Sequence, residues 1–463
     1  AGSRLVTAAD GRPWTGIGHN TGWQYDVEQP ALATLAAAGG NALSFWIATP
    51  WVAGGDRVPI EGGYGGIGMY QQAPCVYLDG VIDRAEAAGV RLIPSLWAHD
   101  QLRDTGHPWG TGSWSNQAYA SICSASAFVV MESGGVVTPQ WRRQRNLYRY
   151  LCARYAASPA IAAWVGVVEI EGTNAWRSDA TATGRWCEAV RDQFALHDPY
   201  RNGPDGYPMT FTRSDTGGSS ALAFGASAPA FALRAADSYA KKTDNTGIAA
   251  HIAAGVATMA AGGRPRFHTE FGADTTAGGQ EPRHYHNGIW AGMAAGSTLV
   301  PMRWCDDGAY PMLGASGGTT GLALQDHLGW LAAFLAKAEP IGRADLALSA
   351  SAPTGIRAWG MADGGRGWTW IQATSGGLAG RRVDLSPLRS GRWRASWYRT
   401  WGPAPVPVAE VDLVAAEGSL GLDLPALSPA DPDLACILTC LDEAPVLFRP
   451  AVADPTDLWL PEP

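Results

Sequence analysis

Residues 161–171, IAAWVGVVEIE, restrict the fold more than any other part of the chain. An unbroken apolar run of this length reads as a strand buried on both faces, the kind found in parallel sheets. Two acids, Glu169 and Glu171, follow it directly. A carboxylate is costly to bury unpaired, so acids at the carboxyl end of such a strand are expected to line a polar opening there. Standing two apart, Glu169 and Glu171 are expected on the same side of a regular strand. The pattern returns about one hundred residues later in RFHTEFG, residues 266–272, with Glu270 as its acid. Two acids at two strand ends, far apart in sequence, are what hydrolysis of a glycosidic bond requires.

The rest of the chain supplies alternating units. Residues 1–18 read as a hairpin, with Gly11 in the turn, leading into a strand. Helical patterns cover residues 30–39, 78–89, 140–155, 182–196, 248–261, 286–295 and 327–338, and strand patterns cover 41–47, 90–97, 207–212, 236–239, 265–270 and 297–304. Roughly eight βα units of this kind fit a (β/α)8 TIM barrel better than an open sheet. The loop over residues 99–138 is long, contains Trp114, and is expected to be functional because loops of that length seldom serve only as connections. After residue 340 the texture changes to short alternating runs separated by Gly-Gly, Ser-Gly and Gly-Pro, which predicts a small all-β sandwich. The expected domains are therefore a barrel over 1–338, a sandwich over 339–446 and a Pro-rich tail over 447–463.

Composition excludes several functions. A net charge of −8 argues against nucleic acid as a partner. No segment has the length and apolarity of a membrane span. The GYGGIG stretch at 63–68 neither follows a strand nor opens a helix, so it is not a dinucleotide site. The chain begins AGSRLV, close to the first expected strand, and a leader removed from a secreted or periplasmic protein is the expectation. Cys75 and Cys123 lie in loop-like stretches as candidates for a disulfide, while Cys152, Cys187 and Cys305 are expected as buried thiols. Neither Cys nor His spacing matches a zinc site; His284 and His286 lack a third ligand nearby, and no metal or organic cofactor is expected. Twenty-one tryptophans are consistent with aromatic platforms for sugar rings as well as with core.

With these motifs in order, the chain resembles a clan A retaining glycoside hydrolase of the family 5-like type, with a trailing β-sandwich. SPAIAAWVGVVEIEGTN is similar to the family's fourth-strand segment, in which a Trp precedes the acid/base Glu by five residues; Trp164 and Glu169 keep that spacing. RPRFHTEFG is similar to the seventh-strand segment and implies Glu270 as nucleophile. HNGIWAGMAAGSTLVPMRWCDD is similar to the following helix and eighth strand, whose Trp floors the reactive sugar; Trp304 is the match, with Asp306 as a candidate hydroxyl contact. ADSY, residues 236–239, is similar to the sixth-strand end and implies that Tyr239 hydrogen-bonds the nucleophile. His99 stands where relatives carry a polar or His residue after strand three. Trp46, Trp114, Asp237 and Glu171 complete the candidate substrate-binding residues, and the implied partner is a carbohydrate. Oligomeric state does not follow.

The departures from the family pattern are specific. Val168 replaces the Asn that precedes the acid/base, Ser44 stands in the strand that usually offers an Arg, and Asp237 replaces a His. Three changes around one subsite imply an altered sugar, such as a furanoside, or a barrel that only binds carbohydrate without turning it over. Glu171 remains the alternative acid/base if the strand runs two residues further.

Overall fold

A computed structural model describes residues 5–6, 13–22, 28–47, 60–61, 66–104, 106, 110, 112–201, 206–214, 231–240, 247–260, 263–273, 282–304, 319–338, 346–403, 406–425 and 432–442. The chain divides into two units, one over Gly16–Met293 and Leu299–Ala333, the other over Gly2–Thr15, Ala294–Thr298 and Phe334–Pro463. The Pro-rich tail lies outside the described residues.

In the first unit, strands β1 (Gly18–Asn20), β2 (Ala42–Trp46), β3 (Arg91–Ala98), β4 (Trp164–Val168) and β5 (Met209–Thr210) pair in parallel and in chain order. Strands β6 (Arg234–Ala240) and β7 (Arg266–Ala273) form a second parallel pair. Single parallel bridges continue the series, Ser214 to Asp237, Phe271 to Arg303 and Asn20 to Trp304, the last returning to β1. Residues 297–304, expected as a strand, form single bridges to Gly16, Asn20 and Phe271 in place of a continuous ladder.

Helices alternate with the strands: α1 (Glu28–Ala37), α2 (Gln72–Ala88), α3 (Pro139–Tyr155), α4 (Ala180–His197), α5 (Gly247–Met259), α6 (Pro282–Ala294) and α7 (Thr319–Ala338). The α2 helix begins six residues before its expected start because Pro74 falls in the first turn, where a missing N–H costs nothing. Helix α3 begins where the Thr138 hydroxyl accepts the Trp141 N–H, and it buries Leu147, Tyr148, Leu151 and Tyr155. Its Tyr148 ring meets Phe194 of α4, and Phe194 meets Trp164 of β4, so two helices brace the strand that leads to Glu169.

The expected loop over 99–138 is largely ordered into tight turns at His99–Leu102, Trp114–Asn116 and Ala118–Ser121 and a hairpin pairing Glu132–Ser133 with Val136–Val137. Cys75 and Cys123, the candidates for a disulfide, are both free. Cys75 is buried within α2, where the Tyr150 hydroxyl donates to its sulfur, and the Cys123 thiol donates to the Tyr119 carbonyl. Cys305 lies outside the described residues.

From residue 346 on, the second unit is an antiparallel sheet: β8 (Leu346–Ser351), β9 (Ile356–Ala362), β10 (Arg366–Ala373), β11 (Arg382–Ser386), β12 (Gly391–Arg399), β13 (Ala409–Ala415), β14 (Leu420–Asp423) and β15 (Asp433–Cys440). Their order is β13-β12-β15-β10-β9-β8-β11-β14. Strand β8 changes partner midway, pairing through Leu346–Leu348 with β9 and through Ser349–Ser351 with β11. A strand that switches partner makes a corner, and residues from both sides of it, including Ile371, Val383, Leu385, Trp393, Trp397 and Leu420, form one apolar core. Trp368, Trp370, Trp393 and Trp397 are all fully buried, so they serve packing and offer no platform.

Candidate active site

The site begins where β4 stops. All five residues of β4 are buried, and Gly166 lacks a side chain because a Cβ there would meet the Phe211 ring at 2.1 Å. At Glu169 the backbone leaves the strand: φ is 49° and ψ 60°, a left-handed conformation that only one other non-glycine residue adopts among the described residues, Glu417. A tight turn over Ile170–Gly172 follows. This corrects the expectation that Glu169 and Glu171 share one side of a regular strand, because period-two alternation ends with the strand at Val168.

The turn sends the two acids to different partners. Glu171 Oε1 accepts the Ser214 N–H, and its Oε2 lies 4.0 Å from Arg213 Nε. Glu169 instead joins Asp237 from β6 and Glu270 from β7, with one oxygen of each acid lying within 4.8 Å of the others. Asp237 and Glu270 are direct neighbours in the β6–β7 register, across an irregularity after Ala236. Both are buried.

Three carboxylates this close cannot all hold negative charge away from water. Burial, followed by the charges of Asp237 and Glu171, drives the Glu169 carboxyl well above the usual carboxylate range. Burial, then Asp237 and Glu169, drives Glu270 upward too, but the Tyr239 hydroxyl donates to Glu270 Oε2 at 2.6 Å and favours its ionised form. Burial raises Asp237 to about 7, against the pull of two hydroxyl donors, Thr212 and Thr269. The trio is also the one set of acid, His or Cys groups among the described residues whose donor atoms are close enough to face a common cation. Hydrogen-bond donors already address both oxygens of Asp237 and one of Glu270, so the arrangement suits proton sharing among acids.

The remaining candidates fall into two groups. His99 Nδ1 is 3.6 Å from Glu169 Oε2, its Nε2 is 3.1 Å from Asp100, and burial with the nearby Arg103 charge lowers its pKa to about 3, leaving a neutral ring. Trp46 meets His99 edge-on and Trp304 at 5.2 Å between ring centroids, tilted by 37°. Trp304 is partly exposed and held by its N–H to the Phe271 carbonyl. Trp114 is buried, its ring edge-on to Phe128 in an aromatic group with Trp97, Tyr119 and Trp186. Asp306 lies outside the described residues.

Sequence reasoning passed over Thr212, Thr269 and Asn20. Thr212 ends the YPMTFT run and Thr269 directly precedes Glu270, so a polar residue at a strand end was the available signal. Asn20 ends β1; its side-chain amide donates to the Thr269 carbonyl at 3.1 Å while its backbone N–H donates to the Arg303 carbonyl at 3.1 Å. It thereby holds the β7 end against the segment carrying Trp304.

In sequence, no family model and no curated protein matches the chain. In structure, the chain is similar to a glycoside hydrolase family 5 protein from Bacteroides vulgatus (12% identity, TM-score 0.59, covering 95% of this chain and 93% of that one). It is likewise similar to a putative glycoside hydrolase from the same organism (13%, TM-score 0.58, 95% and 82%). An exo-β-1,4-mannosidase from Opitutaceae bacterium strain TAV5 covers less (14%, TM-score 0.50, 72% and 61%). The chain therefore has the fold of a family 5-like, clan A glycoside hydrolase, with an α/β unit followed by an antiparallel β unit.

Proposed function

We propose that this protein is a retaining glycoside hydrolase built on a (β/α)8 barrel, with Glu270 as nucleophile and Glu169 as acid/base, acting on a poly- or oligosaccharide. The observation that carries the reading is the approach of Glu169 and Glu270 from two different strand ends, with oxygens within 4.8 Å. Retaining enzymes place their carboxyl groups about 5–5.5 Å apart, one on each side of the scissile bond, whereas inverting enzymes need a wider gap for water.

The two roles divide by environment. Tyr239 stabilises negative charge on Glu270, which attacks the anomeric carbon and forms a glycosyl ester. Burial and neighbouring acids keep a proton on Glu169, which passes to the leaving glycosidic oxygen. Water, deprotonated by Glu169, then attacks the ester, releasing the sugar with its configuration retained and returning Glu270 to carboxylate. Glu171 is occupied by Ser214 and Arg213, which favours Glu169 for this work. Trp304, tilted against Trp46, supplies the apolar floor for the reacting ring.

The sugar is open to test, with β-mannosides, pyranosides of other stereochemistry and furanosides as the candidates. A panel of aryl glycosides of both anomers, with the product anomer followed by NMR, should show hydrolysis with retention on one sugar. Glu169→Ala should slow substrates with poor leaving groups roughly 100- to 10,000-fold, spare activated aryl ones, and recover with azide. Sugar binding without turnover across the panel would favour a binding protein on this fold instead.

A further inference from the structure

Asp237 was a candidate sugar contact, yet it is fully buried and both its oxygens are occupied. Its Oδ2 accepts the Thr212 hydroxyl and its Oδ1 accepts the Thr269 hydroxyl. Thr212 is in turn the clamp on Glu169. Its hydroxyl oxygen accepts the Glu169 N–H at 2.9 Å, and its carbonyl accepts the Ile170 N–H at 3.0 Å. Thr212 thus holds the peptide groups on both sides of the one active-site residue with a left-handed backbone. A non-glycine residue keeps such a conformation only where its surroundings over-determine it. A hydroxyl has one proton, so while Thr212 accepts from Glu169 that proton needs another acceptor. Asp237 is that acceptor.

We propose that Asp237 is a positioning residue that acts on Glu169 through Thr212: its carboxylate orients the Thr212 hydroxyl, which seats the acid/base in its left-handed turn beside a negative charge that the reaction does not consume. This rests on the assignment of Glu169 as acid/base. Glu270 loses its charge when it is glycosylated, but Asp237 does not react and continues to face Glu169 during the second step. Glu169 therefore keeps a strong affinity for a proton when it must take one from water. The other groups facing Glu169 are Glu171 on its own turn, Tyr239 from β6, Glu270 from β7, and His99 and Arg103 from the loop after β3.

The test uses the full chain with ¹³C-labelled glutamate carboxyls, in wild type, Asp237→Asn and Thr212→Val. In Asp237→Asn the titration midpoint of Glu169 should fall by about one pH unit or more, because a neighbouring charge is gone. The basic limb of kcat/KM on a glycoside with a poor leaving group, which needs the Glu169 proton, should fall with it. In both variants the backbone amide resonance of Glu169 should move, and kcat should drop about tenfold or more for poor leaving groups while activated ones change little, the mark of a misplaced acid. An unmoved Glu169 midpoint in Asp237→Asn, or an unmoved Glu169 amide in Thr212→Val, overturns the proposal. Thr212→Val carries the test alone if Asp237→Asn does not fold. Absence of wild-type turnover would instead remove the glycosidase reading, and the NMR titration would still decide whether Asp237 governs Glu169.

Discussion

Asp237 and Asp433 are both buried aspartates at strand positions, one in each unit, and the difference between them separates chemistry from packing. Asp433 accepts the Trp370 indole N–H at 3.0 Å, the Trp401 indole N–H at 2.7 Å and the Thr400 hydroxyl, all neutral donors. Its charge is met from several sides, and it ties β10 to the chain that leaves β12. Asp237 also accepts two hydroxyls, but two further carboxyl groups face it, and no Lys or Arg among the described residues forms an ion pair with it. A buried acid surrounded by donors specifies a structure, whereas a buried acid facing other acids strengthens their hold on protons. The same residue type serves opposite ends because neutral donors surround one and acids face the other.

The largest way to break this contrast is Glu270→Gln. Turnover should fall by roughly 10,000-fold or more, since the nucleophile is lost, while the fold gains about 1 kcal/mol because one buried like charge is removed. Steady-state kinetics with urea unfolding checks both, and full activity in this variant would end the nucleophile assignment.

Next in size is Asp433→Ala, which strands two buried donors, Trp370 and Thr400, and the half-buried Trp401, and should cost about 2–4 kcal/mol of stability. Catalytic constants at temperatures well below unfolding should be unchanged. A fall in kcat comparable to that of Glu270→Gln would show that Asp433 is more than a structural acceptor.

The smallest expected effect is a pH dependence of stability. Glu169, Glu270 and Asp237 all have folded pKa values raised above those of the unfolded chain. The unfolded carboxyls release their protons near pH 4, while the folded ones hold theirs. Stability from these groups is therefore complete below about pH 4 and declines as pH rises through the folded values, near 7 for Asp237. Urea unfolding of wild type between pH 5 and 8 should show this decline, and Glu270→Gln should flatten it. A slope identical in the two proteins would mean that the carboxyl cluster does not share protons.

How much of this was legible beforehand differs by element. The apolar run before Glu169 announced a buried parallel strand, and the alternation of units announced a parallel α/β architecture, because both depend on local hydrophobic period and turn chemistry. The all-β texture after residue 340 was legible for the same reason. The acids Glu169 and Glu270 stood out because charge at the end of a buried strand is rare.

Tertiary structure alone decided the rest. Sequence alternation placed Glu169 and Glu171 on one side, but a single left-handed residue sent one toward Glu270 and the other toward Arg213. That turn is held by Thr212, more than forty residues away, and Thr212 is oriented by Asp237 from a third strand. Cys75 and Cys123 looked free to pair, yet a helix start and an ordered turn give each sulfur another partner. Periodicity reports what a residue's neighbours in the chain require of it. Backbone strain, shared protons and the sign of the charges around a buried acid are set by groups that only folding brings together.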